Sequence, residues 1–166
     1  MLNSQGVAHA ISGFALVAVL LGAGMSPAFA QRGKRYVVLP HVEAKWIVGY
    51  RLGPTEVPIS GTWDIQQDDI GAIEASLQQI SGMSRDYPPD KRIEHPEQYF
   101  RQYLGVVGGQ RKLIYVNAVC GFPKLGRPPK DWRKHFFTII DGGGCFWQAM
   151  YDVKAREFVD FNVNGP

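Results

Sequence analysis

The residues with the widest chemical range in this chain are its two cysteines, Cys120 and Cys145. As a free thiol beside His135, either would have the parts of a nucleophile and its base. In an oxidising compartment two cysteines pair instead, and pairing consumes both thiols. A bridge between them closes a loop of about 25 residues and stabilises by roughly 3 kcal/mol. The leader described below sends the chain to such a compartment. A Cys120–Cys145 disulfide is therefore expected, and no catalytic residue.

The other chemical candidates have structural readings. Asp68, Asp69 and Glu74 are carboxylates at the start of a helical pattern. At that start Asp68 and Asp69 cap free N–H groups and meet the positive end of the dipole, rather than working with Glu74 as paired acid–base carboxylates. Asp141-Gly142-Gly143-Gly144 lacks the lysine and following helix of a phosphate loop. It also lacks the oxygen ligands of a calcium site, so it reads as a hairpin turn. His41, His95 and His135 have no zinc spacing. No Gly-x-Ser-x-Gly elbow is present. No metal and no cofactor are expected.

One charged feature remains. In residues 121–134, Lys124, Arg127, Lys130, Arg133 and Lys134 stand against Asp131 alone, giving +4, while the whole chain carries +3. The positive charge is concentrated on one Pro-rich connection, longer than most. Such a patch suits an anionic partner, either a cell-envelope polymer or an acidic protein. Outside the cytoplasm it does not suggest nucleic acid. Trp132 within it is read as an anchor that packs the loop onto the body.

These residues need elements to hold them, and the elements begin after a leader. Residues 1–30 contain no Lys, Arg, Asp or Glu. Residues 11–25, ISGFALVAVLLGAGM, are apolar or small. Ser26-Pro27 breaks the run, and Ala28-Phe29-Ala30 places small residues where a signal peptidase accepts them. The run is about 15 residues, short of the ~20 that span a bilayer. Its n-region lacks basic residues, which is unusual for a leader. The reading is a signal peptide over 1–30 and one globular domain over 31–166, periplasmic or secreted. No stable membrane insertion is expected after cleavage.

In the rest of the chain the period of apolar residues separates helix from strand. Ile70, Ile73, Leu77 and Ile80 predict an amphipathic helix over 68–81, with Gly82 as its C′ residue. Short strands are expected at 36–39, 46–52 and 62–65. Alternation predicts strands over 99–107 and 112–120 joined at Gly108-Gly109. Tyr99, Arg101 and Tyr103 share one face. Three more strands are expected at 135–141, 145–151 and 157–163. One helix among these strands makes an α+β fold. It has an antiparallel sheet of about four to six strands with one main helix on one face, cystatin-like or NTF2-like in outline.

Tyr99-Phe100-Arg101-Gln102-Tyr103-Leu104-Gly105, then Ile114-Tyr115-Val116-Asn117-Ala118-Val119-Cys120, Trp132, Asp141-Gly142-Gly143-Gly144-Cys145-Phe146 and Asn164-Gly165 resemble a group of small exported bacterial proteins of unknown function. The resemblance covers about residues 63–165. It implies a compact secreted domain and carries no activity.

The disulfide meets a geometric difficulty. With a strand at 135–141 between them, Cys120 and Cys145 lie at opposite ends of a plain meander, roughly 20 Å apart for strands of about six residues. A disulfide needs Cα atoms within ~7 Å. The reading keeps the disulfide and gives up the plain meander. The functional expectation is an exported non-catalytic binding module. The alternatives are a hydrolase inhibitor presenting residues 121–134, or a small extracytoplasmic enzyme without a sequence signature. If the leader reading holds, the intact mass of protein recovered from periplasm or medium corresponds to a chain beginning at Gln31. Full-length chain confined to the cytoplasm contradicts it.

Overall fold

The computed structural model describes residues 34–47, 51–52, 57–83, 92–121, 128–139 and 143–163. These residues belong to one unit, 31–166. The proposed leader, Lys124, Arg127 and Asp141 lie outside them. In chain order the strands are β1 Tyr36–Val38, β2 Arg51–Leu52, β3 Val57–Thr62, β4 Phe100–Gly108, β5 Arg111–Val119, β6 Phe146–Asp152 and β7 Glu157–Val163. The helices are α1 Gln67–Ser76 and α2 Gln79–Gly82. The fold is α+β, with a mostly antiparallel sheet and one main helical segment.

The β4–β5 hairpin is the centre. Its turn is Gly109-Gln110, one residue beyond the expected Gly108-Gly109. Both residues have positive φ, 54° and 72°, as a two-residue turn matched to strand twist requires. That turn fixes the register: Gly108 pairs with Arg111 and Gln102 with Asn117. The sheet order is β2-β3-β4-β5-β6-β7, with β1 added in parallel to β4. Two short strands thus share one edge of β4. β1 covers positions 101–103, and β3 covers 106–108. At the handover the Trp63 amide donates to the Gly105 carbonyl at 3.1 Å. A Cβ at Gly105 would lie 2.1 Å from the Trp63 carbonyl oxygen, so only glycine admits this approach.

The helix covers one face. Ile70, Ile73, Leu77 and Ile80 are all buried, against Tyr103, Ile114, Val116, Trp147 and Tyr151. Each such side chain contributes about 1.5–3 kcal/mol on leaving water. Asp69 caps the helix as expected, accepting the Gln66 amide at 2.9 Å. The helix is interrupted at Leu77-Gln78, and Gly82 is not a left-handed C′ residue. The Met83 amide instead closes onto the Ile80 carbonyl. A register shift between Met150 and Tyr151 turns both Phe158 and Phe161 toward the helix core.

Glu74 has a different role from an acid–base group. Its carboxylate accepts from the Arg101 guanidinium at 3.1 Å and from the Tyr103 hydroxyl, tying α1 to β4. Arg101 is 2% exposed. Its other donors reach the Tyr103 hydroxyl and the carbonyls of Pro96, Glu97 and Tyr99. A buried charge is tolerated only when its hydrogen bonds are met in this way. Burial pushes the Tyr103 phenol well above its ordinary range, and the neighbouring Glu74 carboxylate adds to the shift.

The second face is covered by irregular chain. His41–Trp46 is a 3-10 turn, not the start of the strand expected at 46–52. Ala44 and Ile47, three apart, are both buried, and a three-residue period brings them to one face where a strand would separate them. Residues 128–139 contain no strand, although one was expected at 135–141. They lie across the sheet with Trp132, Phe136 and Phe137 in the second apolar cluster.

That absence removes the conflict over the cysteines. β5 and β6 are direct neighbours, with Val119 opposite Phe146. Cys120 and Cys145 continue that pairing at one end of the sheet, with the Cys120 amide donating to the Cys145 carbonyl at 2.9 Å. Their Cα atoms are 4.9 Å apart and the disulfide is formed. The β4–β7 meander and the disulfide both hold. In the denatured, unreduced protein no thiol should react with an alkylating reagent. Cys120→Ala should lower unfolding free energy by about 3 kcal/mol, measured by denaturant titration.

Candidate functional site

The irregular segment at 132–137 is held by side chains that stand in for a missing strand. Gln102 and Asn117 are opposite each other on β4 and β5, and both are fully buried. The Gln102 amide nitrogen donates to the Trp132 and His135 carbonyls at 2.6 and 2.7 Å. Its oxygen accepts from Asn117 at 2.9 Å and from the Phe137 amide at 3.4 Å. Asn117 also donates to the Phe137 carbonyl at 2.8 Å. From the 3-10 turn, the Glu43 carboxylate accepts the Phe136 amide at 2.8 Å. The backbone polar groups of a strand are met without a strand.

This attachment buries Trp132 and sets a run of contacts with an arginine at each end and two rings between them. The Arg35 guanidinium lies 4.9 Å from the Phe100 ring centre. Phe100 meets Trp132 edge-on at 5.4 Å. Arg133 lies 4.4 Å from the Trp132 ring centre. Both arginines are also fixed by carbonyls. Arg35 donates to Gln98 at 2.7 Å, and Arg133 donates to Tyr36 at 3.2 Å and to Lys34. Burial draws the Arg133 guanidinium below its usual range. It stays charged at neutral pH. Lys34 completes the group, 5.1 Å from the Tyr36 ring centre.

Beside this ridge is a cleft of about 370 Å³ lined by Arg35, Arg92, Glu94, His95, Gln98, Tyr99 and Cys120. Gln98 and Tyr99 of that lining belong to the turn that Arg101 holds through the carbonyls of Pro96, Glu97 and Tyr99. The Tyr99 hydroxyl donates to the Gly144 carbonyl at 2.8 Å and joins the cleft to the disulfide end. Burial raises the Tyr99 phenol above its ordinary range. Arg35 and Arg92 stand against Glu94, so positive charge dominates the wall. The chemistry available is fixed positive charge over aromatic support, which suits anions.

The sequence-predicted residues divide accordingly. Lys130 and Lys134 are exposed. Arg133 is not a free solvent-facing charge, because it holds two carbonyls of the β1 strand region. Lys124 and Arg127 lie outside the described residues. Trp132 is the expected anchor, 8% exposed. Cys120 and Cys145 are bonded to each other, and His135 sits 3.5 Å from Glu43, so the thiol–base reading fails. Among the described residues no group of three His, Cys, Asp or Glu is placed to hold a metal.

Lys34, Arg35 and Arg92 were missed; the place of Lys34 and Arg35 depends on chain brought from sites some 60 to 100 positions away, and Arg92 joins Arg35 only in the folded cleft. Gln102 and Asn117 carried a signal in the sequence. Each interrupts an apolar face, and a turn at 109–110 puts them opposite each other.

No family model matches the chain, and no solved structure matches it. Over 95 residues it is 30% identical to a Drosophila melanogaster protein described as "Uncharacterized protein CG43867". The match covers 52% of this chain and 5% of that protein, so the chain spans a small part of the relative's length.

Replacing Gln102 by Leu leaves the Trp132 and His135 carbonyls without these donors. Each orphaned group costs about 1–3 kcal/mol. Denaturant titration should show a loss in that range or above. Trypsin should also cut after Lys130, Arg133 and Lys134 faster than in wild type. Unchanged cutting would show that Gln102 does not hold the segment.

Proposed function

We propose that the chain is an exported, non-catalytic binding domain that holds an anionic partner, a cell-envelope polymer or an acidic protein, outside the cytoplasm. The observation that carries this reading is the Arg35–Phe100–Trp132–Arg133 run of cation–ring and ring–ring contacts beside a cleft bordered by Arg92. Rings and carbonyls hold the two guanidinium groups in place before any partner arrives, so little ordering entropy is lost on binding. The exposed Lys130 and Lys134 extend the same charge along the adjoining segment. The leader pattern in residues 1–30, the disulfide, and the resemblance to small exported bacterial proteins all support the extracytoplasmic placement. No helix of the described residues is long and apolar enough to cross a membrane.

The test uses dextran sulfate as a polyanion. Attraction between exposed charges fades over ~8 Å at physiological ionic strength, so binding should weaken steeply as salt rises. The triple variant Arg92→Ser, Lys130→Ser, Lys134→Ser removes exposed charges that hold no part of the fold. Three surface contacts of a few tenths of a kcal/mol each, about 1 kcal/mol together, predict about fivefold weaker binding at low salt, with the melting temperature unchanged. Equal binding by wild type and variant, or salt-independent binding, would overturn the reading.

A further inference from the structure

Both faces of the sheet are covered, so large apolar side chains left in solvent are conspicuous. Among the described residues these are Val42 and Trp46, 55% and 56% exposed. They lie on one six-residue 3-10 turn, His41–Trp46. Other side chains of that turn are committed: Glu43 and Ala44 are buried, and Glu43 accepts the Phe136 amide. The turn cannot rotate to bury Trp46 without taking Glu43 away from that amide.

Lys45 places its ammonium 5.1 Å from the Trp46 ring centre. An indole with an ammonium over its face fits the headgroup boundary of a bilayer, where the ring meets acyl chains and the ammonium meets phosphate. Two side chains are far less than the ~800 Å² per partner of a stable protein interface. Asp64 lies 3.5 Å from His41 on this turn and Asp131 is exposed, but the lysines outnumber these acids and point the same way. The Glu43 bond joins this turn to the segment carrying exposed Lys130 and Lys134.

We infer that the turn at 41–46 is a peripheral anchor, with Trp46 and Val42 entering the headgroup layer of an anionic bilayer and Lys45, Lys130 and Lys134 facing its phosphates. This rests on the reading of an anionic partner and names that partner as a lipid surface. So small an apolar wedge gives reversible adsorption, not insertion.

The experiment is sedimentation with phosphatidylglycerol vesicles and with phosphatidylcholine vesicles, following tryptophan emission. Wild type and variants are compared in the same processed form. Wild type should sediment with the anionic vesicles and shift its emission to the blue, and it should do neither with the neutral ones. Trp46→Ser should partition about tenfold less and lose the blue shift. Trp46 is exposed, so its melting temperature should match wild type. Equal partition of Trp46→Ser overturns the anchor. Binding to dextran sulfate without vesicle binding overturns the anchor and leaves the anionic-partner reading standing. Binding to neither overturns both. A blue shift produced by an acidic protein but not by vesicles makes the surface a protein interface and also overturns the anchor.

Discussion

The Gln102–Asn117 amide pair sits where the sheet, the disulfide-closed connection and the cationic ridge meet. A sheet with apolar side chains on both faces needs two covers. α1 and α2 supply one. The other is irregular chain, whose backbone polar groups cannot be buried unless something answers them. Two amides on neighbouring strands, with the Glu43 carboxylate, answer five of those groups. With them in place, Trp132 and Phe137 can settle on the sheet, and Trp132 in turn supports Arg133.

The opposite face is tied by charge. Arg101 is buried with almost all its donors used, reaching α1 through Glu74 and the turn at 96–99 through three carbonyls. Replacement of such a network by hydrocarbon is often neutral for stability. Its consequence here is positional. The turn it holds supplies Gln98 and Tyr99 to the cleft lining, so a buried arginine on the helix side of the sheet helps set the shape of a surface feature. Core and candidate site share residues, and neither is independent of the other.

The disulfide closes the same design. Cys120 and Cys145 extend a ladder that β5 and β6 already form, so the bridge confirms an existing pairing and does not impose one. It pins both ends of the connection between them. The middle of that connection is pinned by the amides. The chain from 121 to 144 is thereby fastened at its ends by a covalent bond and at 132–137 by hydrogen bonds.

Local pattern in the sequence determined several elements. The helical stripe Ile70, Ile73, Leu77 and Ile80, the alternation of β4 and β5, and the final hairpin through Asp152 all follow from apolar period, and period is a property of neighbours in sequence. The two cysteines and the leader pattern likewise pointed to a disulfide. Tertiary structure decided what neighbours in sequence cannot. Residues 135–139 have strand composition, yet their backbone is claimed by Gln102, Asn117 and Glu43, which come from three other segments. That one substitution of side chain for ladder made β5 and β6 adjacent and brought the cysteines together. It also converted Arg133 from a surface charge into a structural one. Lys34 and Arg35 belong to no periodic pattern in the sequence. They became part of the site because Arg101 and Arg133, far along the chain, bind their backbone. Hydrogen bonds across such separations leave no periodic trace, so the site was legible only in part.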